Sequence, residues 1–401
     1  MRALPFLAAF LLAGCGASGQ AANRPGLPFD VQQVGAFDEP WAIAFLPDGR
    51  ALVTEKKGRL KLWRAGADPA DVAGVPAVAY GGQGGFLDVA PAPDFQSSRI
   101  VYFTFSEPRP GGSSLALARA RLGDGAAPAL SGVQIIWRQG SDGAGGQFGA
   151  IIAFAPDGRS LFLSSGERQR FTPAQDPDQA LGKIVHLTLD GRPAPGNPGA
   201  GRTGAGSVLV TDPPAATEAA KTARTRPARL DGPNLVPAET WSSGHRNPYG
   251  LAFAPDGRLW EDEMGPRGGD ELNLIEPGRN YGWPIVSQGD NYDGKPIPRH
   301  ATRPDFRAPV LFWNPSISPA GLIFYSGKLF PQWKGSAFLG ALSAQALIRV
   351  TVNGASAQKA DQWDMGTRIR DVAEGPDGAI YLLEDGEKGS GGHLLRLTPK
   401  H

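Results

Sequence analysis

One phrase recurs along this chain and constrains its fold more than any other feature. It is an apolar run, a Pro-Asp-Gly turn and a second, alternating run. It reads "WAIAFLPDGRALVTE" from Trp41, "AIIAFAPDGRSLFLSSGE" from Ala150, "YGLAFAPDGRLWEDE" from Tyr249 and "RDVAEGPDGAIYLLED" from Arg370. "LDVAPAPDFQSSRIVYFTF" from Leu87 is a variant without the glycine, and "LIFYSGKLFPQWKGSAFLGAL" from Leu322 is a sixth, divergent copy. Proline presets φ at the first turn position, aspartate hydrogen-bonds its own backbone, and glycine accepts φ > 0. Each copy therefore predicts a β-hairpin. A single hairpin cannot bury a face alone, so recurrent hairpins must stack on one another. Six units over this length leave room for a four-stranded blade plus loops in each. The chain is expected to be all-β, a six-bladed β-propeller of four-stranded antiparallel blades, since radial closure leaves few sheet edges. A β-sandwich would not need so many copies of one hairpin. The 55 glycines and 37 prolines fit many short strands with many turns.

The copies are irregularly spaced, so loops are inserted between them. The longest, "GRPAPGNPGAGRTGAG" to "TEAAKTARTRPARLDG" (191–232), is low in complexity and partly basic, and reads as a mobile surface loop. Its charges suit a solvated surface, not nucleic acid. The whole chain carries 40 basic and 39 acidic residues, a net charge of +1, which argues against a nucleic acid or an anionic membrane face as partner.

"MRALPFLAAFLLAGC" has one arginine and then an apolar run too short to span a bilayer. It ends at Cys15, the only cysteine. "LAGC" resembles the bacterial lipobox, whose cysteine becomes the lipidated N-terminus. An ordinary signal peptide with an incidental cysteine is the alternative. Residues 1–15 are expected to be a lipoprotein signal, 16–34 a flexible tether and 35–401 the propeller. The resemblance implies a periplasm-facing protein held by its lipid, and Gly16 in place of aspartate implies the outer membrane. A single cysteine excludes an intrachain disulfide.

The chain has no G-x-G-x-x-G after a strand, no G-K-[ST], no H-E-x-x-H and no G-x-S-x-G. Five loop clusters flank the hairpins instead: "GGQGGFLDVA", "GGQFGAII" with "SSGERQR", "SSGHRNPYG", "EMGPRGGDELN" and "TRIRDV". Loops on one propeller rim converge around the central channel. The expected pocket holds Gln83, Arg246, Asn247, Arg368 and Arg370. Three guanidiniums around one mouth suit a ligand with planar carboxylates. The plainer alternative is that they pair with neighbouring acids.

These loops carry a resemblance. "GHRNPYGLAF", "GPRGGDELN", "NYGWP" and "IRDV" are long matches to the soluble aldose sugar dehydrogenases that use pyrroloquinoline quinone, the glucose/sorbosone dehydrogenase family, and the likeness runs from Phe37 to about Leu397. The resemblance implies a quinone over the channel, a calcium ion beside it, and oxidation of an aldose at its anomeric carbon. It assigns quinone binding to Gln83, Arg246, Asn247, Tyr292, Arg368 and Arg370. It assigns the cofactor's calcium to the carbonyls of Gly265 and Pro266, and a second, structural calcium to Glu271 and Tyr281. Glycines in the loop let carbonyls turn to a hard cation.

The departures from the family fall on chemistry. Its catalytic histidine, in "GHFG", is Gln147 in "GQFG", and an amide accepts no proton at neutral pH. The arginine two residues past the last glycine of that phrase is Ile151, a polar loop position is Met264, and the lysine after "GAL" is Ser343. Glu167, in "SGER", matches the acid that orients the family histidine and stands as a substitute base. Three readings follow: a slow or substrate-shifted quinone-dependent aldose dehydrogenase with an unidentified electron acceptor; a non-catalytic propeller lipoprotein binding carbohydrate or protein; and a calcium-dependent lactone hydrolase, which has no use for an arginine clamp.

Overall fold

The computed structural model describes residues 26–125, 127–140, 142–211, 225–230 and 232–400. Cys15, the signal segment and most of the expected tether lie outside them. The architecture is the expected one: six antiparallel four-stranded sheets arranged as the blades of a propeller. Blade 1 comprises Pro40–Phe45, Ala51–Glu55, Arg59–Trp63 and Ala70–Val72. Blade 2 comprises Phe86–Pro91, Ile100–Arg109, Gly112–Leu122 and Leu130–Arg138. Blade 3 is Gly149–Phe154, Ser160–Ser165, Lys183–Thr188 and Thr240–Ser243, and blade 4 is Pro248–Phe253, Leu259–Glu263, Asp270–Ile275 and Leu311–Trp313. Blade 5 is Pro319–Phe324, Ala337–Ala341, Ala346–Asn353 and Ser356–Asp364. Blade 6 is Ile369–Glu374, Ile380–Glu384 and His393–Pro399, completed by Phe29–Ala36 from the other end of the chain.

That closure corrects one boundary. Residues 29–34, assigned above to the tether, are a strand whose Phe29 lies opposite Pro399 and whose Ala36 lies opposite His393. Phe29, Val31 and Leu27 are buried in the blade 6 core, so burial overrides the loop-like composition just before them. The insertion differs from expectation too. Residues 207–211 pair with 225–229 as a hairpin. Asn197 is buried, and its Nδ2 donates to the carbonyls of His186 at 2.9 Å and Ala238 at 2.8 Å.

Each recurrent phrase forms the two innermost strands of a blade. The turns repeat one geometry: Asp48, Asp157, Asp256 and Asp377 each accept through Oδ1 from the backbone N–H two residues on, at 3.0–3.1 Å. Where "APDF" lacks the glycine, Phe95–Ser98 makes a helical turn instead.

The inner strands pack on one another around the axis. In all six blades, the register with the second strand shifts near the start of the inner strand. Such a bulge leaves backbone groups unpaired. Neighbouring side chains satisfy several: Asp88 Oδ2 accepts from Ile152 N of the next blade at 2.7 Å, and Asp371 Oδ2 from Ile43 N at 2.9 Å. Thr104 Oγ1 donates to Ala150 O at 2.8 Å. These contacts tie the blades where the loops depart. The loops before the inner strands of blades 2, 3, 4 and 6, and after the second strands of blades 4 and 5, therefore gather on one rim.

Candidate active site on the propeller rim

The rim holds a cavity of about 720 Å³ lined by Gln83, Gln147, Arg246, Asn247, Met264, Gly265, Pro266, Tyr292 and Ser343, among others. Gln83 joins three blades: its Oε1 accepts from Gln147 N at 2.6 Å and Tyr249 Oη at 3.3 Å. Asn247 Oδ1 accepts from Gly149 N at 3.4 Å, and its Nδ2 faces the Met264 sulfur at 3.6 Å. Met264 thus closes the wall and also occupies the asparagine amide. Ser343 Oγ donates to Ser316 O at 3.2 Å.

Arg246 is one of two arginines lining this cavity, with Arg267. Its Nη1 donates to the carbonyls of Met264 at 2.9 Å and Gly265 at 2.8 Å, and its Nη2 reaches Tyr292 Oη at 3.2 Å. The rings of Trp283 and Tyr292 lie 5.2 and 5.8 Å from the guanidinium carbon. Its Nε is buried and has no hydrogen-bond partner.

Gln147 sits at φ = 56°, in the left-handed region, which costs a non-glycine residue of the order of 1 kcal/mol. Its amide bridges two charged neighbours: the nitrogen donates to Glu167 Oε1 and the oxygen accepts from Arg246 Nη2 at 2.8 Å. Glu167 lies behind Gln147, buried, and does not line the cavity. Its Oε2 takes the backbone N–H groups of Arg170 and of Phe171, the latter at 2.5 Å. Burial raises its pKa above the ordinary carboxylate value, and the Arg246 charge opposes that shift. A carboxylate engaged in this way is an orienting group for residue 147; the substitute-base role expected of it lacks a direct line to the cavity.

The strain is concentrated here: Arg168, Gln169 and Phe171 also have φ near 60°. Arg168, fully buried, stacks on Phe148 at 3.9 Å and donates to the carbonyls of Ser113, Gly143, Gly145 and Gly146. It holds the glycine-rich loop that carries Gln147.

Arg368 and Arg370 depart from expectation. They are not among the residues lining this cavity. Both pair with Asp385, which is fully buried, at 2.5 and 3.6 Å. A buried carboxylate demands paired charge, and Arg370 also lines the central channel. Arg370 still stands 5.9 Å from the ring of Tyr249, whose hydroxyl meets Gln83. Ile151 lines the central channel with Asp88 and Asp371. Burial raises those two carboxyls to pKa values of about 8 and about 7.

The loop "EMGPRGGDELN" is folded around one acid. Asp270 accepts from Gly265 N at 2.8 Å and from Ile317 N and Ser318 N at 2.7 Å each. Gly269 has φ = 67°, and a Cβ there would meet Gly289 N at 2.1 Å. The loop thereby brings Gly265 and Pro266 to the cavity wall. Arg246 holds the Gly265 oxygen, whose second lone pair remains for a cation.

Glu271 and Tyr281 meet at a second, small cavity of about 10 Å³, room for one ion or water, which Glu263 also lines. Burial, and then the Glu263 charge, push the Glu271 carboxyl well above its ordinary pKa. The Tyr281 hydroxyl is already engaged, donating to Leu274 O at 2.5 Å and accepting from Glu276 N at 3.0 Å. The carboxylates fit a cation there.

Sequence reasoning missed Asp385, Arg168 and the pair between Lys56 and Glu387. Aligning the ends of the second strands places the first: Asp385 follows Glu384 in blade 6 as Met264 follows Glu263 in blade 4.

The family model described as Glucose / Sorbosone dehydrogenase matches residues 37–211 and 221–396. Aldose sugar dehydrogenase YliI of Escherichia coli (strain K12) is 37% identical over 373 residues, covering 91% of this chain and 91% of that protein. A crystal structure of a glucose dehydrogenase, 41% identical, superposes with a TM-score of 0.79 over 91% of this chain and 98% of its own. The PQQ-bound form of aldose sugar dehydrogenase from Streptomyces coelicolor, 27% identical, gives 0.68 over 92% and 98%. The chain belongs to the glucose/sorbosone dehydrogenase family.

Proposed function

We propose that this protein oxidises the anomeric carbon of an aldose sugar to the lactone, with pyrroloquinoline quinone in the rim cavity and calcium beside it. The observation that carries the reading is the convergence of Gln83, Gln147, Arg246, Asn247 and Tyr292, from separate loops, on one cavity. The Arg246 guanidinium, which lines the cavity, suits an acceptor-rich, anionic ligand. When bound, the quinone supplies the two-electron acceptor for the C1 hydrogen. Arg246 would hold a ligand carboxylate, and the Gly265 and Pro266 carbonyls would hold calcium. Glu271, beside Tyr281, would hold the second calcium.

The chain's own contribution to proton transfer is weak. The anomeric hydroxyl must lose a proton, and the side chain at the base position is the Gln147 amide. We therefore expect slow turnover. The same bridge between Glu167 and Arg246 favours, as second reading, a non-catalytic propeller that binds carbohydrate. A lipid anchor at Cys15, facing the periplasm on the outer membrane, rests on the "LAGC" pattern. Reconstitution with quinone and Ca²⁺, then dye reduction with a panel of aldoses, separates the readings: any turnover above the quinone-free blank favours the enzyme, and quinone binding without turnover favours the binder.

A further inference from the structure

We infer that blade 4 carries a buried site for a divalent first-row transition cation of the manganese–zinc class, built by His245, Glu261 and Glu263. One ligand atom from each of the three lies within 4.8 Å of the others, and all three residues are buried. Glu261 and Glu263 are two apart on the second strand and so share a face. Asn273 and Glu271 stand opposite them on the third strand. His245, in the loop leading into blade 4, closes the group. Its ring stacks on Tyr281 with centroids 4.7 Å apart, and its Nε2 meets Ser242 Oγ at 2.8 Å. That leaves Nδ1 turned to Glu263 Oε1 at 3.6 Å.

Hydrogen bonding inside the cluster does not balance. Beside the His245 ring, whose Nδ1 stands 3.6 Å from Glu263 Oε1, the side-chain donor is Asn273 Nδ2, which faces Glu261 Oε2 at 3.0 Å, Glu263 Oε1 at 3.3 Å and Glu271 Oε2 at 3.4 Å. An amide has two N–H groups for these three acceptors. His245 Nδ1, Glu261 Oε1 and Asn273 Oδ1 are all buried and have no partner. Three carboxyl groups packed together, with one imidazole at most to balance them, is a costly arrangement. A metal ion resolves it, taking the free imidazole nitrogen and the free carboxylate oxygen.

The donor set selects the metal. Calcium prefers an all-oxygen shell, whereas one imidazole nitrogen with carboxylates suits Mn²⁺ or Zn²⁺. The Ser242 hydroxyl on Nε2 fixes the ring as an outer-shell partner does. The site is also wired to the rim: Glu263 Oε2 accepts from Arg246 N at 2.6 Å. The ion would fix the backbone from which Arg246 reaches the cavity. Its three ligands are other residues than the Glu271 and Tyr281 expected for calcium, although Glu263 borders that small cavity too, and the site does not depend on the proposed sugar chemistry.

The test is metal analysis of the full-length protein purified without chelator, followed by EDTA treatment and calorimetric titration with Zn²⁺, Mn²⁺ and Ca²⁺ separately. The expected result is about one equivalent of Zn²⁺ or Mn²⁺ per chain, with Ca²⁺ at least tenfold weaker at this site. Glu261→Gln should weaken Zn²⁺ or Mn²⁺ binding at least tenfold and lower the thermal midpoint of the untreated protein. After EDTA the same variant should melt higher than wild type, because it removes a buried repulsive charge. Loading with Co²⁺ gives a second readout, a visible absorption band that the His245→Gln variant lacks. The inference is overturned if no transition metal binds. It is equally overturned if binding survives Glu261→Gln and is lost only in Glu271→Gln, or if Glu261→Gln raises the midpoint equally with and without EDTA.

Discussion

Restoring an imidazole at position 147 tests the active-site reasoning most sharply. The backbone there is already in the left-handed conformation, and histidine tolerates it better than a bulky residue. Glu167 Oε1, which now takes the Gln147 amide, is positioned to accept from an imidazole N–H, and its Oε2 is fixed by two backbone donors. The remaining ring nitrogen then faces the cavity as a base. A general base contributes roughly 10²–10⁴-fold, so Gln147→His should raise sugar oxidation by up to that range. Two structural costs reduce the gain. Arg246 Nη2 loses the acceptor it has at 2.8 Å, a charged hydrogen bond of about 1.5–3 kcal/mol, and Met264 still engages Asn247. The pH profile gives the signature. A base must be unprotonated, so the activity of the variant should rise through an imidazole pKa near about 6.5, raised by the Glu167 charge. The assay is dye reduction by quinone- and calcium-loaded protein from pH 5 to 8. Equal rates in both proteins, with no new inflection in the variant, would refute the placing of Gln147 at the base position.

Other consequences follow from the same geometry. Arg246→Ala should weaken quinone binding by about 1.5–3 kcal/mol, the range for a hydrogen bond to a charged group, while Arg368→Ala should chiefly lower stability by about 1–3 kcal/mol, because Asp385 is left with Arg370 at 3.6 Å; calorimetry and thermal melts separate the two, and a pure binding loss in the second variant contradicts the pairing. Asp88 and Asp371 have folded pKa values of about 8 and about 7 against 3.8 when free. The native state then holds more protons than the unfolded one between pH 4 and 8, so this contribution to stability is complete below about pH 4 and fades as pH rises through 7 to 8; thermal midpoints that climb steadily from pH 5 to 8 would contradict it. Deleting residues 1–36 removes the strand paired with His393–Pro399 and should give a protein that aggregates or melts without cooperativity.

The fold was legible because the repeated turn is a local signal with a mechanism. Proline, aspartate and glycine each dictate their own backbone geometry, and the same Asp-to-backbone hydrogen bond recurs in four blades. The closing strand was not legible. "FDVQQVGA" has weak alternation, and its burial comes from pairing with residues more than 350 positions away. The site was half legible. Motif matches brought Gln83, Gln147, Arg246, Asn247 and Tyr292 to one cavity. Arg368 and Arg370 looked like the same kind of residue, but their partner Asp385 lies across a hairpin, and partner choice is a tertiary property. The relation of Glu167 to Gln147 was legible as an orienting pair, while the burial that turns the carboxylate away from the cavity was not. The excess of acid in "LWEDEMGPRGGDE" was visible, and the face shared by Glu261, Glu263 and Glu271 emerged only from the register of blade 4.

The most direct test of the functional reading is a calorimetric titration of purified protein with pyrroloquinoline quinone in the presence of Ca²⁺. Saturable heat with a Kd below about 100 μM, at least −5 to −6 kcal/mol, that weakens in Arg246→Ala is the expected result. No heat and no change in the quinone spectrum at about 100 μM would contradict the proposed role of the rim cavity.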